Sequence, residues 1–105
     1  MRKDDIISEV NSYKEKLAEL VREEAKTDPY SFNRSPEREE IIKGIEDVLL
    51  SFKLLVYSYD KDCPLMTLIE KMPQTHDITL ERYTQNNSLE KVNYLMDKFI
   101  WYLGL

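Results

Sequence analysis

"VLLSFKLLVYSY", Val48 to Tyr59, decides the fold. Only Ser51, Lys53 and Ser58 interrupt its apolar and aromatic residues, whereas a half-exposed helix repeats its apolar positions every three or four residues and leaves the rest polar. Ile41, Ile45, Val48, Phe52, Leu55 and Tyr59 form one helical stripe, and Ile42, Leu49 and Val56 form the adjoining one. Leu50, Leu54 and Tyr57 then occupy what should be the solvent face. The pattern predicts a helix over about 36–60 whose second half is covered on nearly every side. Its neighbours in a bundle would supply that cover, or a second subunit would. A membrane would not. The fifteen positions from Ile45 to Tyr59 include Glu46, Asp47 and Lys53, and a span takes about twenty mostly uncharged residues, so no membrane insertion is expected.

The flanking sequence supplies partners for such a helix. Ile6, Val10, Tyr13, Leu17 and Leu20 recur at 4-3-4-3 spacing, with Ile7 and Val21 widening the stripe, and predict an amphipathic helix over 4–26. Asp4 and Asp5 suit its positive N-terminal end and Lys26 its negative C-terminal end. Thr27-Asp28-Pro29 stops it, because the residue before a proline is pushed out of helical geometry. Tyr30 and Phe32 in the connector should pack back onto the bundle. Ser35-Pro36-Glu37 restarts a helix, with Ser35 as N-cap and Pro36 at the first position, where its missing N–H costs nothing. Gly44 costs about 1 kcal/mol inside a helix relative to Ala and suggests close approach of another backbone.

Pro64 opens a short helix through Leu65, Met66, Leu68, Ile69 and Met72, which Pro73 ends. In residues 74–87, Ile78 and Leu80 alternate with polar residues as in a strand, while Asp77 could cap a helix. Helix is favoured, since a lone strand has no partner. Asn87 followed by Glu90 reads as a capping box for a last helix over 88–103, with Leu89, Val92, Met96, Phe99 and Leu103 on its core face. With two glycines and four prolines there is too little turn chemistry for a sandwich or barrel. The expected architecture is all-α: a single domain over 1–105, folded as a compact four- or five-helix bundle around an apolar central helix.

Charge and single residues bound the function. Fifteen basic and twenty acidic residues give a net charge of −5, which disfavours direct nucleic-acid binding. Residues 1–47 hold 13 acids and 9 bases, against 7 and 6 in the remainder, so the negative field lies in the front half. One cysteine, Cys63, allows no intrachain disulfide, and no signal peptide is evident at the start, so a cytoplasmic location is expected.

Catalytic constellations fail one by one. Cys63 and His76 are the sole cysteine and histidine, and a capping-region thiol and a loop imidazole describe them better than a nucleophile pair. Pro73, three residues before His76, breaks the Glu-x-x-His spacing of a di-metal bundle, and Lys71 stands where an Arg-x-x-x-x-His motif needs arginine. Two glycines exclude a Gly-rich phosphate loop. Neither an enzyme nor a cofactor or metal is expected.

Two surfaces remain. Glu15, Glu19 and Glu23 lie four apart on one helix face, their repulsion eased by Arg22 and Lys26, and with Glu37 and Glu40 they form a candidate acidic face for a partner with a basic surface. Seven tyrosines and one tryptophan exceed what a small core needs, and Tyr94, Trp101 and Tyr102 fall off the core stripe of the last helix, so they are candidate aromatic contacts. In size, acidity and helix content the chain is similar to the small immunity proteins that protect bacteria against bacteriocins, and to phage inhibitors such as anti-CRISPR proteins. That likeness is one of profile, and it implies a non-enzymatic inhibitor or immunity factor acting by stoichiometric protein binding. The alternative is a structural or regulatory subunit that homo-oligomerises, or joins an assembly, through its apolar helix face and aromatic C-terminus.

Overall fold

A computed structural model describes residues 2–27, 36–84 and 86–104, and for residues 80–84 the backbone alone. The described chain is all-α, as expected, with five helices: α1 Lys3–Ala25, α2 Pro36–Tyr59, α3 Met66–Glu70, α4 Thr75–Thr84 and α5 Ser88–Gly104. Pro36 does stand at the first position of α2. Ser35, Asp28, Pro29, Tyr30 and Phe32 lie outside the described residues.

The two longest helices form an antiparallel hairpin. Arg38 near the start of α2 reaches Glu24 near the end of α1, with Nη2 and Oε1 3.3 Å apart. Further along, Leu20 packs over Gly44, and Ile6 and Tyr13 share a groove with Ser51, Leu55 and Tyr59. Gly44 therefore makes room for a side chain, not for the backbone that the sequence suggested. A Cβ there would stand 3.3 Å from both terminal carbons of Leu20.

α5 lies across the hairpin. Its Phe99 ring meets Phe52 edge-on at 6.0 Å between centroids, and meets Tyr59 in the same way at 6.2 Å. Lys14 of α1 pairs with Asp97 of α5. Phe52, Phe99, Ile6, Leu17, Ile45, Met96 and Leu103 are fully buried. Each such side chain contributes about 1.5–3 kcal/mol by leaving water, which is why apolar spacing located these helices.

The short helices close the core. Ile69 of α3 and Ile78 of α4 are buried against it. α4 settles the ambiguous stretch as a helix, and Asp77 caps it from inside: its Oδ2 accepts the backbone N–H of Gln74 at 3.0 Å, the backward half of a capping box. Asn87 holds the N-cap position of α5, its carbonyl accepting the Lys91 N–H at 3.0 Å, but the side-chain cap comes from Asn86. Asn86 Oδ1 accepts from Ser88 N at 3.0 Å and from Ser88 Oγ at 2.6 Å. Asn87 instead takes a left-handed backbone with φ of 57°, tolerable because its short polar side chain adapts to that region.

The opening stretch departs from expectation in one respect. Val48, Leu49, Phe52 and Val56 are buried, but Leu50, Leu54 and Tyr57 are each more than half exposed. Helical geometry puts these three directly opposite Phe52, where no other described helix packs. α2 is the central helix, yet its outer face is uncovered. The reason is a shortage of elements: α1, α3, α4 and α5 all lie to one side or along the flanks of α2.

Candidate functional site

α2 presents Leu50, Leu54 and Tyr57 as a ridge because their 4-3 spacing keeps them on one side of the helix. Grooves run along both flanks. On the α1 side, Ile6, Tyr13, Leu54, Leu55 and Tyr59 line a groove of about 620 Å³. On the other side, Leu49, Leu50 and Lys53 of α2 face Met72, Pro73 and His76 across a groove of about 320 Å³. A third groove, about 520 Å³, lies beyond Met72 and Pro73, between α3 and α5. Leu68, Met72, Pro73, Tyr94 and Leu95 form its apolar lining. The last two grooves share Met72 and Pro73, so that dipeptide joins the α2 ridge to the aromatic side of α5.

Tyr94 and Trp101 are seven residues apart on α5 and both more than half exposed. Lys98 sits between them, its Nζ 5.5 Å from the centre of the Tyr94 ring and 5.3 Å from that of Trp101. This stacking holds a cation against two open aromatic faces. The third aromatic candidate goes elsewhere. Tyr102 is partly buried, stacks on Phe99 at 6.4 Å, and donates a 2.8 Å hydrogen bond to Asp60 Oδ2. That hydrogen bond, with burial and the Asp60 charge adding to it, pushes the Tyr102 phenol up to about 12. Tyr102 thus closes one end of the core and leaves Tyr94 and Trp101 as the exposed pair.

The acidic candidates Glu15, Glu19, Glu23, Glu37 and Glu40 are all exposed. The hairpin brings Glu23 to the end of the bundle that holds Glu37 and Glu40, as the Glu24–Arg38 pair at the same end shows. Trp101 adjoins the Asp60–Tyr102 contact at the opposite end. The acidic and aromatic sets are therefore separate surfaces.

Tyr13 on the α1 flank donates to Glu9 Oε1 at 3.1 Å, and burial together with the Glu9 carboxylate raises its phenol above the ordinary value. Cys63 is buried. His76 is exposed in the first turn of α4, with Nε2 3.3 Å from Asp77 Oδ1, rather than in a loop. Among the described residues no group of three or more His, Cys, Asp or Glu is arranged to hold a metal, and no helix is long and apolar enough to cross a membrane.

The sequence singled out Tyr94 and Trp101, which are exposed, and the apolar residues on the outer side of α2, for which it offered cover by neighbouring helices or by a second subunit. Leu68 and the Met72–Pro73 bridge were missed. Nothing in their local sequence signals a groove, which is lined jointly by Leu68 of α3, Lys71 to Pro73 after it, and residues at the start of α5. The chain matches no protein-family model, no curated protein and no solved structure.

Proposed function

We propose that this protein works without catalysis, by binding another protein in a fixed stoichiometry, as an inhibitor or immunity factor does. One observation carries the reading: six large apolar or aromatic residues, Leu50, Leu54, Tyr57, Leu68, Tyr94 and Trp101, are 53–62% exposed on a chain of only 105 residues. Scattered apolar residues are ordinary on a surface, but Leu50, Leu68 and Tyr94 line two grooves that adjoin at Met72 and Pro73, with Leu54 and Tyr57 beside Leu50 on α2 and Trp101 one heptad beyond Tyr94, an arrangement that supports an interaction site. Exposed tyrosine and tryptophan supply large contact areas at little entropic cost. The acidic residues Glu15, Glu19, Glu23, Glu37 and Glu40 act at longer range, steering a partner that carries a basic surface elsewhere.

The test uses tagged protein and its Leu54→Ser/Trp101→Ser variant against an extract of the source cell. The wild type should recover one target at a fixed molar ratio and suppress that target's activity at saturation, and the variant should do neither. A homo-oligomer in the purified protein that dissociates in the same variant would instead favour the subunit reading.

A further inference from the structure

The groove between α3 and α5 differs in charge from the rest of the molecule. Lys71 and Lys91 stand at its edge against the one carboxylate in its lining, Glu90; beyond it Lys98 continues the line towards Trp101, where the neighbouring Asp97 is paired with Lys14 of α1. A chain with net charge −5 therefore gathers cations around its apolar, aromatic face. Across the bridge, the neighbouring groove adds Lys53 against Glu46. The N-terminal end of α5, at Ser88 and Leu89, contributes the positive pole of a 17-residue helix to the same region.

Resting on the protein-binding reading above, we infer that this groove takes an acidic amphipathic helix of the partner. The partner's bulky apolar side chains seat against Leu68, Met72 and Tyr94, and its carboxylates meet Lys71, Lys91 and Lys98. The dimensions agree. From Asn87 to Trp101 the outer face of α5 rises about 21 Å, which accommodates a helix of about 14 residues lying alongside it. Tyr94 and Trp101, one heptad apart, match anchors at i and i+7 of such a helix. A second copy of this chain fits poorly. Two copies meeting face to face would set lysines against lysines, while the acidic face of α1 offers no apolar anchors at Glu15, Glu19 and Glu23.

The experiment titrates full-length, isotope-labelled protein with two designed helices of about 15 residues that share the same Leu and Phe anchors, one flanked by glutamates and the other by lysines. Anionic phospholipid vesicles and a single-stranded oligonucleotide serve as further probes. The acidic peptide should shift the signals of Leu68, Lys71, Lys91, Tyr94 and the Trp101 indole. The charge-reversed Lys71→Glu/Lys91→Glu variant should bind it at least about tenfold more weakly and gain affinity for the basic peptide. Equal or tighter binding of the basic peptide to the wild-type groove would overturn the charge assignment while leaving protein binding intact. Preference for vesicles or oligonucleotide would replace the partner class. If no probe perturbs the groove, this inference fails, while target recovery from the source extract tests the broader reading separately.

Discussion

Tyr102 of α5 and Asp60, the residue that follows α2, are joined by a 2.8 Å hydrogen bond in which the phenol donates to Oδ2. Asp60 Oδ1 meanwhile accepts the backbone N–H of Asp62 at 3.0 Å and shapes the turn towards α3. One carboxylate thus links the end of the central helix, the next connection and the last helix.

That link has a defined pH range. The Tyr102 phenol rises from an ordinary value of 10.0 to about 12, so its proton is held more tightly in the folded chain than in the unfolded one. A raised folded value stabilises fully below the unfolded value and ceases to do so as pH passes the folded one. The urea midpoint of wild type should therefore exceed that of Tyr102→Phe by a constant margin up to about pH 10, and the margin should shrink between about pH 10 and 12. A margin unchanged at pH 12 would contradict the assignment.

The two faces of α2 should respond oppositely to truncation. Phe52→Ala removes a fully buried ring and should cost about 3–5 kcal/mol. Leu50→Ser and Leu54→Ser, on the more exposed side, should each cost no more than about 1 kcal/mol, because only their groove-facing edges pack within the chain. Urea unfolding of the three variants checks this, and a large loss at Leu54 would mean that the ridge belongs to the core.

Gly44→Ala should stabilise by about 0.5–1 kcal/mol, the gain in helix propensity. The new methyl meets only the flexible end of Leu20 at 3.3 Å, which yields by a few tenths of an ångström. Gly44→Leu has no such room and should destabilise by about 1–3 kcal/mol. Shifts in urea midpoint at constant slope would report both.

At the start of α5, Asn86→Ala should cost about 1 kcal/mol by removing the cap on Ser88. Asn87→Gly should be neutral or slightly stabilising, since glycine adopts the left-handed backbone freely. If Asn87 were the side-chain cap, the two results would be reversed.

The Glu24–Arg38 pair holds the connected end of the hairpin, where α1 finishes and α2 begins. Glu24 is only 2% exposed, so replacing the facing guanidinium by Arg38→Met should cost about 3 kcal/mol by leaving a buried charge less compensated. Thermal unfolding measures it, and a stabilised variant would show that apolar packing there outweighs the pair.

The helices were legible because burial imposes a period. Val10 and Leu17 in α1, and Val92 and Phe99 in α5, are each seven apart on one helix face, whereas the helix over 75–84 was legible only as the favoured of two readings, with Asp77 as its cap. Coverage was not legible. The sequence of Val48–Tyr59 says that every face is apolar, but whether a neighbour reaches Leu50, Leu54 and Tyr57 depends on how the other helices are distributed around α2. For the same reason Tyr102 and Trp101, adjacent in sequence, part company: one turns inward to Asp60 and the other outward beside Lys98.

The central claim is that this apolar surface is kept uncovered by its own chain and reserved for a different protein. Light scattering coupled to size exclusion, at low and at high salt, tests it most directly. A mass of 12.5 kDa at both salt concentrations is expected. A salt-resistant dimer of twice that mass, dissociated by Leu54→Ser/Trp101→Ser, would contradict the claim and make the surface a contact between copies of the chain.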